Sequence, residues 1–249
     1  MKVLMLVLAN DGGPKDLYTR LQVEIWRRYM HTKPDEIHAY FYKANPNLSE
    51  DYLIEGDTVY VKCEEQYPLL WKKLWLVLKV FGPTLDEYDF VCRPDLSSFF
   101  ILDKYLNYLE TVCRQNTCTA YINKEPTVPD RFPTGAGFTI TPDIAKYIIK
   151  NKIIPNNEGI DDVTMGLILK HLKSQMIPYP MLHIHHAQMY ERLSIVYNNI
   201  KTEAVESGTG LFAQGEIFHI RIKHHWSTDR TEEDLLVHHL LLEHVYGEK

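Results

Sequence analysis

The sequence predicts an α/β fold built on one open, mixed and mostly parallel sheet flanked by helices. Three observations carry that expectation. Through the first half of the chain, apolar runs of strand length alternate with segments whose apolar residues recur every three or four positions. In the second half the alternation loosens, as it does where antiparallel strands are added to a parallel sheet. The 249 residues are long for one small domain and short for two, and one domain of that length buries a substantial core.

Lys2 to Ala9 reads as a buried first strand. Its apolar run of about seven residues lacks a small-residue cleavage site and enters Asn10-Asp11-Gly12-Gly13, which argues against a signal peptide. Leu17, Leu21, Ile25 and Tyr29 recur every four residues and mark a helix with one apolar stripe. "IHAYFYK" and "TVYVKC" read as strands, followed by a Leu- and Trp-rich helix from about Pro68 to Phe81, closed by Gly82-Pro83. "YDFVCR" is the next strand, and Leu102, Tyr105, Leu106 and Leu109 mark the helix after it.

"TAYI" (Thr119 to Ile122) is a further strand, leading into a loop through Pro126, Pro129 and Pro133. "GAGFTITPDIAKYIIK" reads as a strand and then a helix, with Thr141 as N-cap and Pro142 in the first position. Asp161-Asp162 opens another helix, with Leu167, Ile168 and Leu172 on one face. A strand-like "MLHIHHA", a Gly-rich loop at Ser207 to Gly210, a strand "IFHIRIK" and a last helix from about Thr231 complete the chain. His238, His239 and His244 on that helix lack zinc-hydrolase spacing and read as helix surface.

Composition narrows the function classes. Hydrophobic residues make up 45%, charged residues 24%, and the formal net charge is −6, which argues against sequence-nonspecific binding of nucleic acid. Cys63, Cys92, Cys113 and Cys118 show neither C-x-x-C spacing nor the density of a disulfide scaffold, so free thiols are expected. No segment approaches the roughly 18 apolar residues of a membrane span. A soluble, cytoplasmic protein is the expectation.

Ligands of open α/β sheets bind at the carboxyl ends of the strands. That singles out Ala9 and Asn10, Arg93 to Asp95, and the stretch before Gly135. The paired carboxylates in "NNEGIDDVTMG" (Asn156 to Gly166) have two readings. As a cap, an Asp satisfies orphan N–H groups and favours the helix dipole. As chemistry, one Asp caps while the other serves as a general base, because abutting carboxylates raise one another's pKa. "TGAGFTIT" either permits a tight turn or lets backbone approach a ligand closely, and it is neither a Walker loop nor the opening of a Rossmann unit. "FVCRPDLSSFF" is either an ordinary strand-to-helix loop or a diphosphate site at a strand end. In "HIHH", alternation puts His183 and His185 on one face; these and His219 are either metal ligands or surface and core histidines.

Three of these segments, in this order, resemble the β-1,3-galactosyltransferase and Fringe group of inverting glycosyltransferases, which have the GT-A fold. Asp161-Asp162-Val163-Thr164-Met165-Gly166 matches the family's D/E-D-V/C-T/Y-x-G. Gly135-Ala136-Gly137-Phe138 matches its G-G-A-G-F/Y, with Thr134 in place of the first glycine. Arg93 to Asp103, continuing to Tyr108-Leu109, resembles its acidic K-x-D-D-D segment and the helix that follows. Tyr67 to Lys73 and Arg20 to Trp26 keep the spacing of two upstream segments. "RPDLSSFF" also looks like a variant found in glycosyltransferase-like proteins of large DNA viruses and some bacteria, which would suit host or bacterial cytoplasm.

The resemblance implies a single GT-A type domain over residues 1–249. Its nucleotide-sugar-binding part would span about 1–110 and its acceptor and catalytic part about 111–249. It implies transfer of a sugar from a nucleotide-sugar, most simply a UDP-sugar, to a glycan hydroxyl with inversion. Asp162 would be the base, with Asp161 supporting the turn or the acceptor. Ala9, Asn10, Lys73, Arg93, Asp95, Ser97, Gly135, Ala136 and Gly137 would bind the donor. Mn²⁺ or Mg²⁺ would be held by Asp95 with His185 or His219. Where relatives carry D-x-D, this chain has Asp95-Leu96-Ser97. Asp95 then holds the ion with the diphosphate and a histidine, Arg93 replaces the cation, or the protein is an inactive relative that binds nucleotide or glycan. A histidine-based metallohydrolase is a third possibility without any spacing signature.

Overall fold

Strand β1 (Val3–Leu8) is buried from Val3 to Val7, with parallel neighbours on both sides, β2 (Ile37–Ala44) and β5 (Phe90–Pro94). A strand covered on both faces needs apolar side chains at every position, which is why "VLMLVL" does not alternate. The computed structural model describes residues 1–123, 131–153, 161–184, 205–207, 210–212, 217–223 and 230–247. The chain divides into two units. The first holds Met1–Asp11, Lys33–Asp95 and Val112–Pro178; the second holds Gly12–Thr32, Leu96–Thr111 and Tyr179–Lys249.

The first unit contains an eight-stranded sheet. Its remaining strands are β3 (Tyr52–Glu55), β4 (Thr58–Val61), β7 (Thr117–Asn123), β8 (Phe132–Ile140) and β9 (Gln175–Pro178). The order is β3-β4-β2-β1-β5-β8-β7-β9. Four of the seven pairings are parallel, and β3/β4, β5/β8 and β7/β8 are antiparallel, so the expected mixed, mostly parallel sheet is present. Order reverses at β1, with β2 on one side and β5 on the other, and that is the place where open sheets accept ligands.

Helices α3 (Leu70–Phe81), α5 (Pro142–Lys150) and α6 (Asp161–Leu172) belong to this unit. Along α3, Trp71, Leu74, Val77, Leu78 and Phe81 form the buried stripe, and the Trp71 indole N–H donates to the Ile153 carbonyl at 2.6 Å. Along α6 the buried residues include Asp161, Thr164, Met165, Ile168 and Leu169. That three-and-four spacing places a carboxylate in line with the apolar face. Leu167, expected on this face, is 54% exposed because one residue of helix turns it about 100° away from Ile168.

The second unit has a three-stranded sheet, ordered β10 (Met181–Ile184), β13 (His219–Ile222), β6 (Ser98–Phe100), and a short hairpin of β11 (Val205–Ser207) and β12 (Gly210–Phe212). α1 (Leu17–Arg20) runs through a π-helical segment, Leu21–Trp26, into α2 (Arg27–Tyr29). α4 (Leu102–Leu109) and α7 (Thr231–Tyr246) complete this unit. Aromatic rings fill its core: Tyr29 lies 4.8 Å from Phe99 and 5.0 Å from Tyr246, and Phe218 lies 4.9 Å from Tyr108.

Several expectations change. Gly135 to Gly137 lies inside β8, which agrees with the strand reading of "GAGFTIT" and not with the tight-turn alternative, and β7 is irregular between Ala120 and Ile122 where the two strands pair. Thr141 occupies the N-cap position of α5, but its hydroxyl accepts the Thr117 N–H at 3.1 Å and makes no cap bond. His238 is buried in α7, with its ring Nδ1 2.7 Å from the Asp234 carbonyl, and burial lowers its pKa to about 4. It is a core histidine, not a surface one. His185, His186, His224, His225, Pro126 and Pro129 lie outside the described residues, as does part of the Ser207 to Gly210 loop. All four cysteines are free thiols. Among the described residues no helix is long and apolar enough to cross a membrane.

Gly166 shows why the turn after the two carboxylates needs a glycine. A Cβ there would meet Phe132 Cβ at 2.6 Å and Phe132 Cα at 3.1 Å, so α6 approaches β8 at backbone distance. Overpacking of this kind costs about 1–3 kcal/mol, which the roughly 1 kcal/mol of helix propensity that Ala gains over Gly offsets in part. Gly166→Ala is expected to lower the midpoint of chemical denaturation. A raised midpoint would show that α6 can draw back from β8 without loss.

Candidate functional site

The carboxyl ends of β1, β2 and β5 collect three buried or nearly buried cations, each matched to a carboxylate. Lys43, at the end of β2, pairs with Asp11. Lys73 of α3 is 2% exposed and places its ammonium 2.7 and 2.8 Å from the two Glu65 oxygens, while donating to the Ala9 carbonyl at 2.8 Å. Burial lowers the Lys73 pKa and Glu65 opposes that shift. Arg93 of β5 is also 2% exposed and ion-pairs with Asp161 at the start of α6.

Arg93 is the hub of this arrangement. Its Nε donates to the Tyr42 hydroxyl at 3.2 Å, its Nη1 donates to the Gly135 carbonyl, and its Nη2 meets Asp161. Its guanidinium carbon lies 5.8 Å from the centre of the Phe138 ring. Burial alone would lower its pKa, but Asp161, Tyr42 and Asp95 outweigh that and hold it raised. The Tyr42 ring is shared, because the Lys73 ammonium sits 5.6 Å from its centre. Burial raises the Tyr42 pKa, so its hydroxyl stays protonated and neutral.

The two adjacent aspartates therefore stand in different surroundings. Asp161 is 2% exposed and locked to a buried guanidinium. Asp162 is half-buried, with its carboxylate 3.0 Å from where a Cβ on Gly135 would lie. It accepts the Val163 N–H at 2.8 Å and a backbone bond from Gly135. Burial raises its pKa, and the charge of Asp161 raises it further, against the opposing pull of the Val163 and Gly135 N–H groups and of Arg93. A Cβ at 135 would press on this carboxylate, which would have to give by a few tenths of an ångström.

The sheet itself brings several sequence-derived candidates together. Leu8 and Asp95 form a parallel bridge beyond the ends of β1 and β5, and the Asp95 N–H donates to the Ala136 carbonyl at 2.8 Å. Gly137 pairs with Pro94 and Phe138 with Arg93. Ala9, Asn10, Lys73, Arg93, Asp95, Gly135, Ala136, Gly137, Asp161 and Asp162 all belong to the first unit. Ala136 and Gly137 are ladder residues, while Asn10, Asp95, Gly135 and Asp162 are half-buried and reach solvent.

Ser97 and His219 belong to the second unit. Ser97 is buried, and its carbonyl accepts the Ile222 N–H at 2.8 Å. His219 is fully buried against Phe100, its Nδ1 is 2.9 Å from the Tyr179 hydroxyl, and its Nε2 is 2.8 Å from the Ser98 hydroxyl. Burial drives its pKa well below the ordinary value, so it is a neutral core histidine with both nitrogens engaged. His185 lies outside the described residues. Among the described residues no group of three or more His, Cys, Asp or Glu side chains could hold a metal ion.

Sequence reasoning passed over Tyr42 and Glu65, the partners that fix Arg93 and Lys73. Tyr42 carries no signal beyond its place in an apolar strand, and Glu65 none beyond its charge.

No family model matches the chain, and no curated protein matches it. Among solved structures, a glycosyltransferase involved in the glycosylation of the major capsid of PBCV-1 matches with a TM-score of 0.48 and 9% identity. That overlap covers 98% of this chain and 100% of that one. A 4-diphosphocytidyl-2C-methyl-D-erythritol synthase from Anaerococcus prevotii matches with a TM-score of 0.42 and 12% identity, over 72% of this chain and 86% of that one. Both likenesses are distant, and the functional reading below rests on the residues of this chain.

Breaking a buried ion pair from one side costs about 3–5 kcal/mol because the remaining charge is left uncompensated. Asp161→Asn is expected to destabilise the fold on that scale. Combined with Arg93→Met, it is expected to lose much less than the sum of the two single variants. A double-mutant cycle by urea denaturation reads both quantities, and additive single effects would show that the pair is not coupled.

Proposed function

We propose that the protein is an inverting glycosyltransferase in which Asp162 takes the proton from the acceptor hydroxyl. The observation that carries this reading is the asymmetry of the aspartate pair. Asp161 is bound to a buried arginine, whereas Asp162 is half-buried, solvent-reachable and raised in pKa. A carboxyl raised by its environment, beside one committed to an ion pair, is a usual physical basis for assigning separate roles. A base in this position gains driving force as its pKa rises toward the working pH.

In the proposed step an acceptor hydroxyl oxygen bonds to the anomeric carbon of a nucleotide-sugar, and its proton moves to an Asp162 oxygen. The bond from the anomeric carbon to the diphosphate oxygen breaks on the opposite face, and the nucleoside diphosphate leaves with the electron pair. Configuration at that carbon inverts because one displacement occurs. Asp161 acts as a positioning residue, since its carboxylate holds Arg93 and thereby the Gly135 carbonyl beside Asp162. The β1 and β5 ends, with Asn10 and Asp95, are the proposed donor side of the site, and a UDP-sugar is the first donor to try. Lys73 and Arg93 help by fixing the strand ends, because both are committed to protein partners.

Among the described residues the candidates do not make a complete set for Mn²⁺ or Mg²⁺, and His185 lies outside them. Asp95 is one carboxylate, Ser97 stands where relatives would have another, and His219 is engaged at both nitrogens. No step is drawn through a metal. The same incompleteness favours a second reading, in which the protein binds a nucleotide or glycan without turning it over. Calorimetry with UDP, with and without Mn²⁺, followed by a nucleotide-release assay, separates the two readings.

Asp162→Asn is expected to abolish nucleotide release from a panel of nucleotide-sugars while circular dichroism stays unchanged. Near-normal turnover in that variant would remove Asp162 as the base. The pH dependence has a defined sign. The base must be ionised, so turnover is expected to rise with pH through a value above the ordinary carboxylate range. Stability runs the other way: a raised carboxyl favours the folded state most when protonated, and that contribution is lost as pH rises through the folded-state pKa. Asp162→Asn is expected to remove this part of the pH dependence of thermal stability, and an unchanged profile would contradict the raised pKa.

A further inference from the structure

Among the described residues, strand β3 ends the eight-stranded sheet and pairs only with β4. Its four residues are all exposed, and Tyr52, Leu53 and Ile54 keep 47%, 41% and 45% of their surface open to solvent. Successive strand residues face opposite sides, so this edge presents apolar surface on both faces. Soluble proteins ordinarily blunt such an edge with Lys, Pro or a bulge. Here "YLIE" contains neither residue, and the register from Tyr52↔Val61 to Glu55↔Thr58 runs without a shift.

The register also shows which backbone groups are open. β3 and β4 are joined by a two-residue loop, Gly56-Asp57, with Gly56 at φ +55°. In such a hairpin the residues flanking the loop form a hydrogen-bonded pair, and hydrogen-bonded and non-hydrogen-bonded pairs then alternate. The Lys62 N–H donating to the Asp51 carbonyl at 2.9 Å fits that alternation. Glu55, Leu53 and Asp51 therefore turn their backbone groups toward β4, whereas Tyr52 and Ile54 turn theirs outward.

Charge decides the occupant. Glu50, Asp51 and Glu55 are exposed at the two ends of the strand, and Asp57 follows in the loop. Lys79 answers Asp51 only through an exposed contact of 3.6 Å, and Lys62 reaches the Ser49 carbonyl at 3.4 Å. A second copy pairing antiparallel across Leu53 would set Asp51 of one chain against Glu55 of the other, and like charges directly opposite are destabilising. An extended segment with Lys or Arg at its ends meets the opposite sign at both ends. We propose that β3 is a docking edge that accepts a basic, extended polypeptide segment as an added antiparallel strand, with Tyr52 and Ile54 supplying the backbone hydrogen bonds.

The test uses the full chain and a fluorescent peptide of alternating Val and Thr with two lysines at each end, read by anisotropy and by amide chemical shifts. Saturable binding is expected, weakened by added salt, with the largest shifts at Tyr52 and Ile54. Ile54→Pro removes an outward N–H and leaves the β3–β4 ladder intact, so it is expected to abolish binding. Glu50→Lys with Asp51→Lys and Glu55→Lys, all at exposed positions, is expected to weaken it by roughly tenfold or more. No saturable binding, equal binding of a glutamate-ended peptide, or a concentration-dependent dimer that Ile54→Pro dissolves would each overturn the proposal.

Discussion

The buried ion pair between Arg93 and Asp161 is the constraint on which the first unit's site depends. Taking a guanidinium and a carboxylate out of water costs several kcal/mol per ion, and attraction alone returns that only when the remaining donors are also satisfied. Here Tyr42 and Gly135 each accept one further guanidinium N–H. One side chain thus joins β5, β2, β8 and the first turn of α6. No single one of those elements fixes the aspartate pair without the others.

The same accounting explains why the neighbouring residue is chemically different. Every buried cation at these strand ends already has its carboxylate: Lys43 has Asp11, Lys73 has Glu65 and Arg93 has Asp161. Asp162 is left with two backbone N–H groups, a partly desolvated position and a like charge beside it. The desolvation and the like charge hold a proton more tightly than water does, and they outweigh the two N–H groups and Arg93, which favour the anion. The helix N-terminus limits the shift, because its dipole favours the anion. The cap and the proposed base are therefore one arrangement, in which Asp162 binds the turn through the Val163 N–H and carries a raised pKa.

Much of the fold was legible because burial writes itself into the sequence. β1 is apolar throughout and lies between two parallel neighbours; α3 and α4 carry their stripes where the periodicity places them. β3 was not legible, since four exposed residues among acids give no alternation that a core would impose. β6 was missed because "SFF" runs directly into the α4 pattern. Gly135 to Gly137 read either as a tight turn or as backbone that approaches a ligand closely. In the structure the requirement is the close approach of Asp162, which depends on a residue far along the chain. His219 and His238 show the same limit: a core histidine and a ligand histidine have the same letter, and only Tyr179, Ser98 and the Asp234 carbonyl tell them apart.

Asp162, next to an aspartate committed to Arg93, holds its proton above the ordinary carboxylate range. An NMR titration of aspartate carboxyl carbons tests this most directly, with the Asp162 resonance assigned by its loss in Asp162→Asn. This resonance is expected to titrate above the ordinary carboxylate range, and replacing Asp161 by Asn is expected to bring it down because a like charge is gone and Arg93 is freed to attract it. A resonance titrating at or below the ordinary range, and indifferent to Asp161, would contradict this expectation.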